Sequence, residues 1–152
     1  MTAPTSQPLL YVVRHGQTQW SLDGRHTGWT DVPLTAEGER QAVAAGAVLA
    51  GVEPVAVWTS PLSRARRTCE LAGLGTAATV DDDLHEWDYG DWEGVTTPTI
   101  RETVPGWTIW SGPWPGGETP DEVAARADRV IERALATPGP IVAFAHGHFL
   151  RV

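Results

Sequence analysis

The sequence predicts an α/β domain built on a mainly parallel sheet, and three features carry that reading. Short continuous apolar runs, rich in β-formers, recur at Leu9–Val13, Val55–Trp58 and Ile141–Ala145, the pattern of strands buried on both faces of a sheet. Helical patterns separate them, as in chains whose parallel strands need crossover connections. Each run ends in polar residues, Arg14-His15, Thr59-Ser60 and His146, and in open α/β sheets ligands bind beyond the carboxyl ends of the strands.

Taken in order, Leu9–Val13 leads directly into Arg14-His15-Gly16. The stretch that follows, to Leu34, is rich in Gly, Trp, Thr and Asp and reads as a long loop, which in a small domain is usually functional. Thr35 is placed to cap a helix through Leu49. After the second strand, Ser60 is suited to cap and Pro61 to occupy the first turn of a helix carrying Arg64, Arg66 and Arg67. Val80–Leu84 reads as a short strand, and His85–Gly94 as irregular chain rich in Trp and Gly. Helical pattern returns over Thr96–Val104 and, more strongly, over Thr119–Leu135, ahead of the third apolar run.

At 152 residues with 41% hydrophobic content, the chain has the size of one domain with its own core. The net charge of -8 repels polyanions, which disfavours nucleic acid and anionic membrane surfaces as partners; an anionic substrate must be caught locally. All 11 basic residues are Arg, whose planar fork matches phosphate. Met1–Pro8 lacks a basic start followed by an apolar run, and no stretch approaches a membrane span of roughly 18 apolar residues, so a cytoplasmic protein is expected. The single Cys69 sits in a helical pattern and reads as a small buried residue.

An imidazole at a strand end, beside Arg14 and before Gly16, suits attack on a phosphoryl group, with arginines supplying fixed bidentate donors to its oxygens. Gly16 would let the backbone approach a ligand. Arg64, near the start of its helix, is a second clamp for an anion. His146 is a second imidazole able to donate to the phosphoryl group, and Glu86 is the carboxyl best placed to protonate a leaving oxygen. Each residue alone also has an ordinary reading: a capped or hydrogen-bonded histidine, a solvated arginine face, surface carboxylates at Glu86 and Glu93, packing tryptophans. His146 and His148 offer a metal two ligands but no nearby third, so no metal is expected.

Order and spacing together change the balance. Arg14-His-Gly-Gln-Thr18, Ser60-Pro-Leu-Ser-Arg-Ala-Arg-Arg-Thr68, Leu84-His-Glu-Trp-Asp-Tyr-Gly-Asp-Trp-Glu-Gly94 and Ala145-His-Gly-His148 resemble the four landmarks of the histidine phosphatase (phosphoglycerate mutase-like) superfamily, and the resemblance runs from Leu9 to Val152. It implies a three-layer α/β/α sandwich, His15 as the phosphorylated nucleophile, Arg14, Arg64 and His146 as its phosphate pocket, and Glu86 as acid and then base. It also implies chemistry without metal or organic cofactor.

Gly24–Asp31 and Glu86–Gly94 are similar to the broad phosphatases acting on small phosphate esters, including the sedoheptulose bisphosphatase-like branch. Mutases of the family usually carry Asn where this chain has Ser21, and Asn or Lys where it has His148; both departures favour hydrolysis of small phosphorylated metabolites, sugar phosphates above all. A phosphoglycerate mutase and a non-catalytic phosphate-binding protein are the alternatives. The substrate contacts implied are Gln17, Ser21, Thr27, Gly28, Tyr89, Gly147 and His148, with Arg101 as a further phosphate contact. Family members continue past the second histidine motif into a helix and a strand that residues 1–152 lack. A sheet left uncovered there predicts pairing with another chain, a homodimer included, and a truncated chain is the simpler reading.

Overall fold

The computed structural model describes residues 7–152; the reading of the first six residues as no secretory leader lies outside them. Four parallel strands form one sheet: β1 (Leu9–Arg14), β2 (Ala56–Thr59), β3 (Ala78–Val80) and β4 (Pro140–Ala145), in the order β1-β4-β2-β3. The last strand therefore inserts between the first two, with Val142 opposite both Tyr11 and Val57. Among the described residues five α-helices accompany them: α1 (Gln19–Leu22), α2 (Ala36–Val48), α3 (Ser63–Leu71), α4 (Thr97–Thr103) and α5 (Pro120–Leu135).

The period-two alternation of β4 divides the core into two layers. Ala143 and Ala145 face a cluster with Leu84, Trp87, Trp107, Val123 and Val130, drawn from the tryptophan-rich chain and α5. Val142 and Phe144 face the other way, onto Val57 and Cys69 and, beyond them, Leu49 and Ala72 at the ends of α2 and α3. Apolar layers on both faces of a parallel sheet make the α/β/α sandwich. Local signals set the helix starts. Thr35 accepts from the Gly38 N–H, and Thr119 and Glu122 cap α5 reciprocally, with Pro120 in the first turn. No helix among the described residues is long and apolar enough to cross a membrane.

Several local expectations are corrected. β1 lies at the edge of the described sheet, with Leu9 50% and Val12 53% exposed; an apolar run does not report which strand will become central. The helix after β2 begins at Ser63, because Ser60 turns its hydroxyl to the Leu62 N–H and to His146 rather than capping. The strand expected over Val80–Leu84 ends at Val80, where Asp81 accepts from the Asp83 N–H and starts a single 3-10 turn over Asp82–Leu84. The loop before Leu34 contains α1, begun by a Thr18/Ser21 capping box.

Candidate active site

The carboxyl end of β4 organises the site. Its last carbonyls hold two neighbouring chain segments, since His15 N–H donates to Ala145 O (3.1 Å) and Ser60 N–H to Phe144 O (2.9 Å). His146 follows β4 immediately. Three strand ends thus deliver His15, Ser60 and His146 to one place, as the apolar runs predict.

His15 is buried, with its ring edge-on to that of His146 at 5.1 Å between centroids. Its Nδ1 lies 2.7 Å from the Gly16 carbonyl, which can only accept, so the proton of the neutral ring sits on Nδ1 and Nε2 carries the lone pair. Burial first, and then the charge of Arg64, push the imidazole down to about 3. Arg64 Nε–H approaches that lone pair at 3.3 Å.

Arg64 is fully buried. Its outer nitrogens donate to the carbonyls of Thr30 (3.0 Å), Thr27 (3.1 Å) and Gly28 (2.6 Å). Glu93 holds that loop from the other side, accepting from Gly28 N–H and Thr30 N–H. Asp31 accepts from the backbone and hydroxyl of Ser63 at the start of α3. Thr68, one turn after Arg64, donates to the Arg64 carbonyl and accepts from Gly16 N–H. The nucleophile's loop and the arginine's helix are therefore tied together beneath His15.

His146 is sealed behind His15. Its Nε2 lies 2.7 Å from Ser60 Oγ, while its Nδ1 is buried without a partner among the described residues. Ser60 Oγ also accepts from Leu62 N–H, and a hydroxyl with one hydrogen and two lone pairs can either donate to or accept from His146 Nε2. Burial, with Arg64 next, holds this imidazole well below the usual histidine range, so it is neutral.

A cavity of about 200 Å³ opens over His15, lined by Arg14, Glu86, Tyr89, Gly147 and His148 together with Ser21 and Thr27. Arg14 makes no side-chain hydrogen bond or ion pair among the described residues, which leaves its guanidinium to the cavity. Gly147 gives it room, as a Cβ there would stand 3.1 Å from Arg14 Nε. Glu86 is buried in the same cavity, accepting from Trp87 N–H (2.8 Å), Phe149 N–H (2.8 Å) and His148 N–H (3.1 Å). Burial raises its carboxyl above the ordinary glutamate value, against the three backbone donors that lower it. Arg126 steadies this segment, donating to the carbonyls of Asp83, His85 and Glu86 while paired with Glu118 at 2.7 Å.

Four expectations are redirected. Gly28 does not line the cavity: its N–H is taken by Glu93 and its carbonyl by Arg64, and a Cβ would come within 2.6 Å of the Trp87 carbonyl. Arg101 is turned away on α4, where its Nε donates to the Trp107 carbonyl. Gln17 lies in an adjoining cavity of about 460 Å³ that shares Arg14, His15 and Ser21 with the first, and its side chain accepts from the Thr35 hydroxyl. Gly16 serves packing, since a Cβ would meet the Gly38 carbonyl at 2.2 Å. Sequence reasoning gave no role to Asp31, Arg126 or the cavity-lining Arg25, His26, Thr97 and Arg151; Arg25, His26 and Asp31 lie within the Gly24–Asp31 motif, and the others have no local signal. Thr68 did have one, its i+4 spacing from Arg64.

The model of the histidine phosphatase superfamily (branch 1) matches residues 10–152, and the chain belongs to that family. It is 44% identical, over 93% of its length and 71% of the relative's, to an acid phosphatase of Mycobacterium tuberculosis. It is 36% identical to the sedoheptulose 1,7-bisphosphatase of Saccharomyces cerevisiae, over 97% of its own length and 66% of that protein's. The phosphoglycerate mutase of Sinorhizobium fredii, dependent on 2,3-bisphosphoglycerate, is 38% identical over 93% of this chain and 75% of that one. Among solved structures, an open-reading-frame product of Mycobacterium tuberculosis superposes with a TM-score of 0.88 at 44% identity, covering 93% of this chain and 75% of the other. A mycobacterial glucosyl-3-phosphoglycerate phosphatase superposes with a TM-score of 0.84 at 33% identity, covering 93% and 77%.

Proposed function

We propose that the protein hydrolyses small phosphomonoesters, sugar phosphates foremost, through a phosphohistidine on His15 and without a metal. The observation that carries this reading is the unprotonated Nε2 of a neutral His15, beside Arg14 and Arg64, in a cavity whose buried carboxyl is Glu86. The phosphatases among its relatives support it.

In the first step Nε2 attacks phosphorus and the ester P–O bond breaks. Arg14 neutralises the phosphoryl oxygens, and Arg64 Nε–H, released from the lone pair as the N–P bond forms, is a donor beside it. The leaving oxygen takes the proton of Glu86, whose raised carboxyl favours the protonated form needed. In the second step the Glu86 carboxylate removes a proton from water, the water oxygen attacks phosphorus, and the N–P bond breaks. Inorganic phosphate leaves with His15 and protonated Glu86 restored.

The test is phosphate release from sugar phosphates, phosphoglycerates and p-nitrophenyl phosphate with a strong chelator present, run beside His15→Ala. Release that persists in chelator and disappears in the variant, together with acid-labile labelling of His15, is expected. Near-normal turnover by His15→Ala overturns the proposal.

A further inference from the structure

The ring of His148 is fixed on three sides in the wall of the cavity. It is edge-on to Tyr89 (5.7 Å) and Trp110 (6.0 Å) and stacked with His26 (6.2 Å). Its backbone N–H is committed to Glu86, so the residue that faces the substrate also holds the proposed acid. The Tyr89 hydroxyl has one partner among the described residues, His148 Nδ1, and Tyr89 is 2% exposed.

The proton count follows from that pairing. A buried hydroxyl hydrogen left without an acceptor loses its solvation with nothing in return, so Tyr89 donates and Nδ1 accepts. A neutral imidazole that accepts at Nδ1 carries its proton on Nε2. Burial, with His26 next, holds His148 down to about 4, and burial keeps the Tyr89 phenol well above its ordinary value; both groups are thus neutral over the working range. His148 Nε2 has no protein partner among the described residues, nor is it sealed as His146 Nδ1 is. We infer that Tyr89 is a positioning residue that locks His148 as a fixed, uncharged Nε2–H donor, and that this donor selects phosphate esters whose leaving group carries a neutral oxygen acceptor, a polyol or sugar hydroxyl, over plain aryl esters. An uncharged donor suits a hydroxyl; a second anion would be better served by a cation at that position.

The inference deepens the phosphatase reading and rests on it for selectivity, but its proton assignment is read independently of turnover. Long-range proton–nitrogen correlation NMR of the wild type should show His148 protonated on Nε2, and Tyr89→Phe should release it into a mixture of tautomers. In kinetics, Tyr89→Phe should lower kcat/KM for glycerol 3-phosphate and glucose 6-phosphate by roughly three- to tenfold relative to p-nitrophenyl phosphate, the loss of one neutral hydrogen bond, and largely through KM. His148→Gln, which keeps one donor without the lock, should recover part of the preference that His148→Ala loses. A wild-type His148 protonated on Nδ1, or a loss shared equally by sugar and aryl esters, overturns the inference. An Nε2–H donor in a protein that releases no phosphate from any ester would instead end the phosphatase reading and leave the lock standing.

Discussion

Replacing Arg64 by Lys keeps the positive charge beneath His15 and removes the fork. Arg64 makes four contacts: three to the carbonyls of Thr27, Gly28 and Thr30, and one from Nε to His15. An ammonium with three donors on one nitrogen cannot span carbonyls arranged around a planar guanidinium. At least one buried carbonyl and the approach to His15 are lost, at about 1–3 kcal/mol for each unsatisfied group, giving a destabilisation of about 3–5 kcal/mol for the broken buried network. Catalysis should fall further than stability implies, by roughly a hundred- to a thousandfold, as when one preorganised donor is withdrawn from a transition state. The assay pairs urea unfolding with kcat/KM for p-nitrophenyl phosphate, measured where the variant is folded. Activity within about threefold of wild type would show that charge alone suffices and refute the role assigned to the fork.

Two other perturbations test the electrostatics. His15 titrates near 3 in the fold against 6.5 in an unfolded chain, so between those values the unfolded state binds the extra proton. Stability is then complete above pH 6.5 and is lost as pH falls toward 3, with the lowered His146 and His148 adding in the same direction. Denaturation followed across pH 3–7 should show that slope, and His15→Asn should flatten it; an unchanged slope would remove His15 as its source. In Glu86→Gln the amide oxygen can still accept from Trp87 and Phe149, but the amide nitrogen meets the His148 N–H. Every substrate should therefore slow, and alkyl phosphates, with poor leaving groups, should slow at least tenfold more than p-nitrophenyl phosphate. Equal losses would take the acid's role from Glu86.

What the sequence determined by itself is what local chemistry dictates. Apolar runs too short for helices mark β1, β2 and β4 wherever they end up in the sheet, and the residues closing those runs, His15, Ser60 and His146, must lie at strand ends. Thr35 and Thr119 start α2 and α5 because a hydroxyl in reach of orphan N–H groups needs nothing from the rest of the chain. The order of the four motifs pointed to the family for the same reason: each is contiguous. Tertiary structure decided the rest. β4 became central and β1 an edge through pairing between residues 131 positions apart for β1 and 85 for β2, which no run of side chains encodes. Gly28 and Gly16 became packing positions because other backbones, Trp87 and Gly38, crowd them. Arg101 went to a carbonyl on its own side, while Glu93 and Asp31 reached across to hold the Arg64 loop and helix. Which histidine nitrogen carries a proton, on His15 and His148, depended on the one acceptor or donor that folding brought against each ring.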